Sequence, residues 1–393
     1  MKYLILIWCL LSQFAFAQEE TGDGPEFLLG DAGVRIELPK PAWKMTRWSD
    51  WDFKGTSKDG VLLFAWTTPF QIPIVEGDLE EWSKVFQARA ADEGSTEAKV
   101  IKSAVGTAHE TATAEIELEM VSGAGAALTM FGVSMPVEGQ TFHIATVSTA
   151  SKARASQKYL TTAVEALEIK KPAIELKWGG EVSYEGVTST LPDTWREPLK
   201  QEMLPVAKGA KALGISSLKS CWKAIQPQAG GKAKILLSCQ DKLVPGILDT
   251  YTQSDVFAEV GRHWFGKNAK AQPEALALSG GGIGVYIQAE IAKNTIHMAG
   301  APNEAGMGKI ILLGAAAEDA TASEDIKAVT IGSQFSAAPA PELRDTAIYY
   351  INYRPSHPFV WLPVVLSGIV LILILAMIVI GARRPPEGDL GDF

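Results

Sequence analysis

Few side chains in this sequence could carry chemistry, and their spacing limits what that chemistry could be. Its five histidines, His109, His143, His263, His297 and His357, stand apart from one another. None has a second histidine or an acidic cluster at the short spacing a metal site requires, so no metal is expected. A Gly-x-Ser-x-Gly elbow is absent, which disfavours a serine hydrolase, although triads assembled from distant segments stay open. Gly280-Gly281-Gly282-Ile283-Gly284 is followed by the alternating run Val285–Ile291, which reads as a strand. A phosphate cradle needs a helix N-terminus there, so the glycines read as a turn or bulge. Gly306-Met307-Gly308-Lys309 lacks both an upstream glycine and a hydroxyl after the lysine, and reads as a hairpin turn. No catalytic residue and no cofactor is assigned.

Cysteine and tryptophan offer more. Cys9 lies in an N-terminal apolar run, leaving Cys221 and Cys239. Between them two strand-like stretches flank Ala229-Gly230-Gly231. Folding about Gly230 sets Ile225 opposite Ile235 and Cys221 opposite Cys239, within reach of a disulfide. Trp43, Trp48, Trp51, Trp66 and Trp82 crowd one region. Trp43, Trp66 and Trp82 fall where core is expected. Trp48 and Trp51, beside Ser49, Asp50 and Asp52, are the candidate ligand contacts, as a flat platform for a sugar ring or a partner protein.

The elements that must position these residues lie between two membrane-directed ends. Lys2, the apolar run Tyr3 to Leu11 and Ala15-Phe16-Ala17 read as a signal peptide over residues 1–17. Phe359 to Ala382 carries no charged side chain and is long enough to cross the hydrocarbon core as a helix, residues 359–382. Arg383 and Arg384 follow it and favour a cytoplasmic tail, residues 383–393. The bulk of the chain is then extracytoplasmic, with a bacterial inner membrane the expected location. A net charge of -9 argues against a large nucleic-acid interface. Lys200, Lys208, Lys211, Lys219 and Lys223 form a local basic stretch, read as a solvated loop or as contact with an anionic surface.

The order of signals repeats across this bulk. Gly33-Val34 to Leu38-Pro39 precedes Trp43, and Gly186-Val187 to Leu191-Pro192 precedes Trp195. A tryptophan with a glycine nine residues later follows in each half, Trp51 with Gly60 and Trp222 with Gly231. An amphipathic helix comes next, Leu79 to Ala91 and Asp255 to Phe265, with Asp78 and Ser254 as expected N-caps. Strands are expected at Ala112 to Val121, Ala126 to Ser134 and Gln140 to Ser148. In the second half they fall at Ile283 to Ile291, Thr295 to Ala299 and Lys309 to Gly314. Ser156 to Ile169 and Ser323 to Phe335 read as closing helices. The insert Leu199 to Lys219 reads as a loop or short helix rather than core. The fold class is α+β with mainly antiparallel sheets.

The Val-x-x-x-Leu-Pro motif followed by tryptophan, a hairpin, a helix, a strand run and a closing helix resembles the PsbP-like fold. That family groups a photosystem extrinsic subunit with a Ran-binding nuclear import factor and many exported bacterial proteins. The resemblance implies two tandem α/β/α sandwich domains, residues 33–170 and 183–335, followed by a juxtamembrane spacer, 336–358. It also implies binding rather than catalysis, and no functional residue carries over from it. The expectation is a membrane-anchored, non-enzymatic protein that binds or scaffolds an envelope partner, of open oligomeric state. The alternatives are a cell-wall carbohydrate module using Trp48 and Trp51, and an envelope enzyme of unrecognised type.

Overall fold

The computed structural model describes residues 26–29, 33–38, 43–49, 52–212, 221–241, 272–291, 294–304, 306–315, 319, 321–336 and 358–382. The expected signal peptide, the helix Asp255 to Phe265, most of the spacer and the tail lie outside these residues. By Cα proximity the chain divides into two compact units. The first comprises residues up to Gly179 with Pro192–Ser216 and Lys223–Ile235; the second comprises Gly180–Leu191, Ser217–Trp222 and the remainder.

The first unit is built on a seven-stranded antiparallel sheet. Its strands are β3 (Trp43–Trp48), β4 (Asp52–Ser57), β5 (Leu62–Pro69), β6 (Ser95–Ala108), β7 (Thr111–Ser122), β8 (Ala127–Val137) and β9 (Gln140–Thr149). They run in the order β3-β4-β5-β9-β8-β7-β6. Side-chain alternation along each strand gives the sheet two apolar faces. Phe131, Val133, Phe142 and Ile144 point to one face, where they pack with Leu160 and Val164 of helix α2 (Ala153–Glu165). A small sheet covers the same face, formed by β1 (Glu26–Leu29), β2 (Val34–Glu37) and β10 (Glu168–Ile169), with Val34 and Ile36 in that core.

The opposite face carries Trp66, Gly132 and His143, and against it lies helix α1 (Leu79–Asp92). Trp82 and Phe86 of α1 are fully buried. A Cβ at Gly132 would meet the Phe86 ring at 2.3 Å, so glycine there is what lets the helix sit down on the strand. The result is an α/β/α layering with mainly antiparallel pairing.

The other large sheet comprises β13 (Cys221–Gln228), β14 (Lys232–Asp241), β15 (Gln272–Ala277), β16 (Ile283–Ile291), β17 (Asn294–Asn303) and β18 (Gly306–Leu313). Its order, β13-β14-β18-β17-β16-β15, repeats the connectivity of β4-β5-β9-β8-β7-β6. Likewise β11 (Gly180–Tyr184), β12 (Val187–Leu191) and β19 (Gln334–Phe335) form a three-stranded sheet with the same plan as β1-β2-β10. Helix α4 (Thr321–Ile331) buries Ala322, Ile326 and Val329 against the second large sheet. Gly281 and Gly282 form the β15–β16 turn at positive φ, as the glycine run implied. The Gly306–Lys309 stretch, expected as a hairpin turn, instead lies wholly within β18, where Gly306 to Lys309 pair with Asn303 to Gly300 of β17.

Several expectations need correction. The closing helices stop at Glu165 and Ile331, and the chain then returns as β10 and β19 to pair with β2 and β12. Asp78 stands at the α1 N-cap but makes no side-chain capping bond, because a 3-10 turn over Glu76–Asp78 leads into the helix. The insert is part of a core: a 3-10 turn at Lys200–Glu202 runs into helix α3 (Met203–Ala212). Val206 and Ala210, four residues apart on one helical face, are fully buried with Glu202, while Lys208 and Lys211 fall off that face.

Helix α5 (Pro358–Ala382) is apolar all round. Trp361–Val379 has a mean hydropathy of 3.0 and is long enough to cross a membrane.

Candidate binding cleft

The cleft forms in the first unit because its layers are unequal in extent. Helix α1 covers β6 and β7 on one face, whereas α2 on the other face lies over β8 and β9. The β6–β7 hairpin therefore projects past α2 with one face open. Along β7, Ala114, Ile116, Leu118 and Met120 are buried on the α1 side. The alternate residues Thr113, Glu115 and Glu117 consequently look toward the open side. Register sets Lys102 of β6 beside Glu117, and Phe131 and Val133 of β8 beside Glu117 and Glu115.

A cavity of about 480 Å³ lies between this sheet face and α2, within the range of small-ligand pockets. Its apolar surface comes from Phe131, Val133, Leu160 and Val164. Glu115, Glu117, Glu165 and Lys102 supply charge, and Thr107, Thr113, Gln157 and Thr161 supply neutral polar groups. None of the four charged groups forms an ion pair within the described residues.

His109 closes one end of the cleft. His109 and Glu110 make the two-residue β6–β7 turn with φ of 49° and 61°, a left-handed conformation usually given to Asn-Gly. The strain, about 1 kcal/mol or more per residue, is offset by tethering the turn to α2. His109 Nε2 lies 2.7 Å from the Val164 carbonyl in the last turn of that helix. A carbonyl only accepts, so Nε2 carries a proton and donates it. The sequence shows His109 only as a histidine standing apart from the others; the structure makes it the clasp between hairpin and helix.

The remaining described histidines are in cores. His143 is fully buried, with Ser134 Oγ 2.7 Å from Nδ1 and Thr68 Oγ1 2.9 Å from Nε2, and its ring stacks on Trp66. Burial, followed by the positive charge of Arg89, pushes its pKa down to about 3. This histidine is neutral and structural. In the second unit, His297 Nδ1 meets the Tyr286 hydroxyl at 2.8 Å, and burial raises the Tyr286 pKa to about 12. Lys327 stands over the Tyr286 ring and pairs with Glu274 at 2.7 Å. Tyr286 and His297 are themselves buried.

A buried ion pair fastens α3 into the first unit. Arg196 and Glu202, 1% and 0% exposed, meet at 2.6 Å. Gln71 N–H and Leu199 N–H donate to the Glu202 carboxylate, and Arg196 donates to the Gln71 carbonyl.

Of the residues singled out from sequence, Cys221 and Cys239 form a disulfide with a Cα separation of 4.3 Å. Gly230 and Gly231 turn the hairpin with φ of 82° and 77°, as the register argument required. Trp43, Trp66 and Trp82 are buried. Trp48 ends β3 opposite Phe53, and Trp51 lies outside the described residues. No described group of three or more His, Cys, Asp or Glu side chains is placed to hold a metal. Thr113, Glu115 and Glu117 were missed, although their alternation with Ala114, Ile116 and Leu118 marks a strand with one polar face.

No protein-family model matches the chain, and no curated protein matches it in sequence. Solved structures similar to it include a protein of unknown function from Pseudomonas aeruginosa, 14% identical, covering 39% of this chain and 100% of that one, with a TM-score of 0.25. A protein from Bacteroides thetaiotaomicron is 10% identical over 49% of this chain and 60% of its own, with a TM-score of 0.26. Cyanobacterial PsbP from Synechocystis is 9% identical over 39% of this chain and 97% of its own, with a TM-score of 0.31, and its name is that of the fold the sequence motif resembles.

Proposed function

We propose that this chain is a membrane-anchored, extracytoplasmic, non-enzymatic protein that binds or scaffolds an envelope partner, and that its halves are two copies of one module. The observation that carries the binding role is the cavity of about 480 Å³ in the first unit, open on one side, with Glu115, Glu117, Glu165 and Lys102 forming no ion pair among the described residues over an apolar floor. The apolar helix α5 and the closed Cys221–Cys239 bond support an anchored, oxidised setting. Arg383 and Arg384 support a cytoplasmic C-terminus. The matched strand orders of the two large sheets support duplication. A carbohydrate role rests on Trp48 and Trp51 alone, whose side chains lie outside the described residues.

The test is site-specific photocrosslinking from Gln157 and Thr161 in intact membranes, with Lys158 on the same helix as the control. A discrete adduct from the two cleft positions, absent from the control, is expected. Absence of an adduct from either position, in a protein that behaves as a monomer, would refute a binding role for the cleft.

A further inference from the structure

We infer that the cleft takes an ammonium or guanidinium group carried on an apolar stem, either as a free amine or as the lysine or arginine side chain of an extended partner segment. The inference rests on the cleft being the binding site proposed above. Charge is its first support: Glu115, Glu117 and Glu165 outnumber Lys102, and none of them is paired among the described residues.

An independent support is Thr113. It is 1% exposed and lines the cavity, and its hydroxyl has no partner among the described residues. The hydroxyl opens on the cavity rather than being enclosed by protein, so a ligand donor seated there can meet it. The geometry gathers these groups. A Cβ at Gly106 would meet Glu115 Oε1 at 2.1 Å and Thr113 Oγ1 at 3.0 Å, so both oxygens converge over the one β6 residue that lacks a side chain. A hydrogen-bond-donating cation seated there would satisfy both, while its stem lay on Phe131, Val133 and Leu160. Anions are repelled by the same lining. The carboxylates are not gathered as a metal set.

The test uses the full chain in lipid nanodiscs, with isothermal titration corrected against empty nanodiscs. The probes are 4-phenylbutylamine and acetyl-Leu-Lys-Leu-Lys-Leu-amide, each against its anionic counterpart, 4-phenylbutyrate and the Glu-for-Lys peptide. Expected is at least tenfold tighter binding of one cationic probe than of its counterpart, weakening as salt rises. Whichever cationic probe binds identifies the source as free amine or side chain. That preference is lost in Glu115→Gln/Glu165→Gln, and binding falls several-fold in Gly106→Ala, which retains every charge but displaces Glu115. Equal affinity for cation and anion, or cation binding unchanged in the double variant, overturns the inference. If an anionic probe binds and Thr161→Trp abolishes it, the ligand class is wrong and the cleft remains a binding site. If no probe binds, the inference fails, and the crosslinking from Gln157 decides separately whether the cleft binds anything.

Discussion

Replacing Arg196 by methionine is the sharpest probe of how α3 is held. Methionine keeps the unbranched apolar stem but ends short of the guanidinium nitrogens and removes the charge, leaving Glu202, at 0% exposure, as a carboxylate without a counter-ion. Breaking a buried pair from one side costs about 3–5 kcal/mol. For an isolated pair, replacing both partners by apolar residues would restore most of that loss. Here it does not, because Glu202 also accepts from the amides of Gln71 and Leu199, and Arg196 donates to the Gln71 carbonyl. Arg196→Met/Glu202→Leu leaves the buried amide and carbonyl of Gln71 and the part-buried amide of Leu199 without these partners, at about 1–3 kcal/mol each. The double variant therefore stays at least about 3 kcal/mol below the parent. Native-state hydrogen exchange on the full chain reads this locally at the amides of Gln71, Leu199 and Ile225, where 3 kcal/mol is more than a hundredfold faster exchange. An Arg196→Met change below tenfold, or a double variant that exchanges like the parent, would refute the reasoning.

Other perturbations have equally defined outcomes. Because the folded pKa of His143 lies near 3 and the unfolded value near 6.5, the stability it contributes is complete above pH 6.5 and drains as pH falls toward 3. Urea midpoints should carry an acid slope of up to about 1.4 kcal/mol per pH unit that is missing in His143→Gln. Tyr286 acts in the opposite direction: its folded pKa near 12 makes stability full below pH 10 and lost as pH rises through 12, a slope that Tyr286→Phe removes. Gly132→Ala drives a methyl into the Phe86 ring and should destabilise by about 1–3 kcal/mol, with partial rescue by Phe86→Leu in the same denaturation assay. Cys221→Ser/Cys239→Ser removes a cross-link spanning 18 residues and should lower stability by about 3 kcal/mol, read by exchange in the β13–β14 hairpin.

β7 was legible because its one buried face imposes a period of two; β9 is buried on both faces and was legible as a β-branched and aromatic run rather than by alternation. β6 was not, although it is 14 residues long. Two register shifts, between Ser95 and Glu97 and between Val100 and Lys102, reverse its parity, and Lys99 and Lys102 interrupt its apolar positions. The short closing strands β10 and β19 were absorbed into the helices before them, because two residues carry no period of their own. The disulfide was legible because hairpin register is local arithmetic about a glycine turn. The cleft was legible only by half: the polar face of β7 is written in its alternation, but its wall is α2, set by a helix some forty residues further on. Nothing local to either segment shows that His109 and Val164 meet.

The stretch Phe131-Gly132-Val133 faces two ways at once: its outer residues floor the cavity and its middle residue seats Phe86 of α1. The partition between a helix and a ligand chamber is thus a single peptide ply. A tilt of α1 has no cushioning layer in which to dissipate, so it must be relayed to the chamber floor over one residue, as a drumskin struck on one side sounds on the other. Loading the chamber should accordingly shift the Phe86 ring resonances, while a chamber that fills without moving them would show the ply to be stiff.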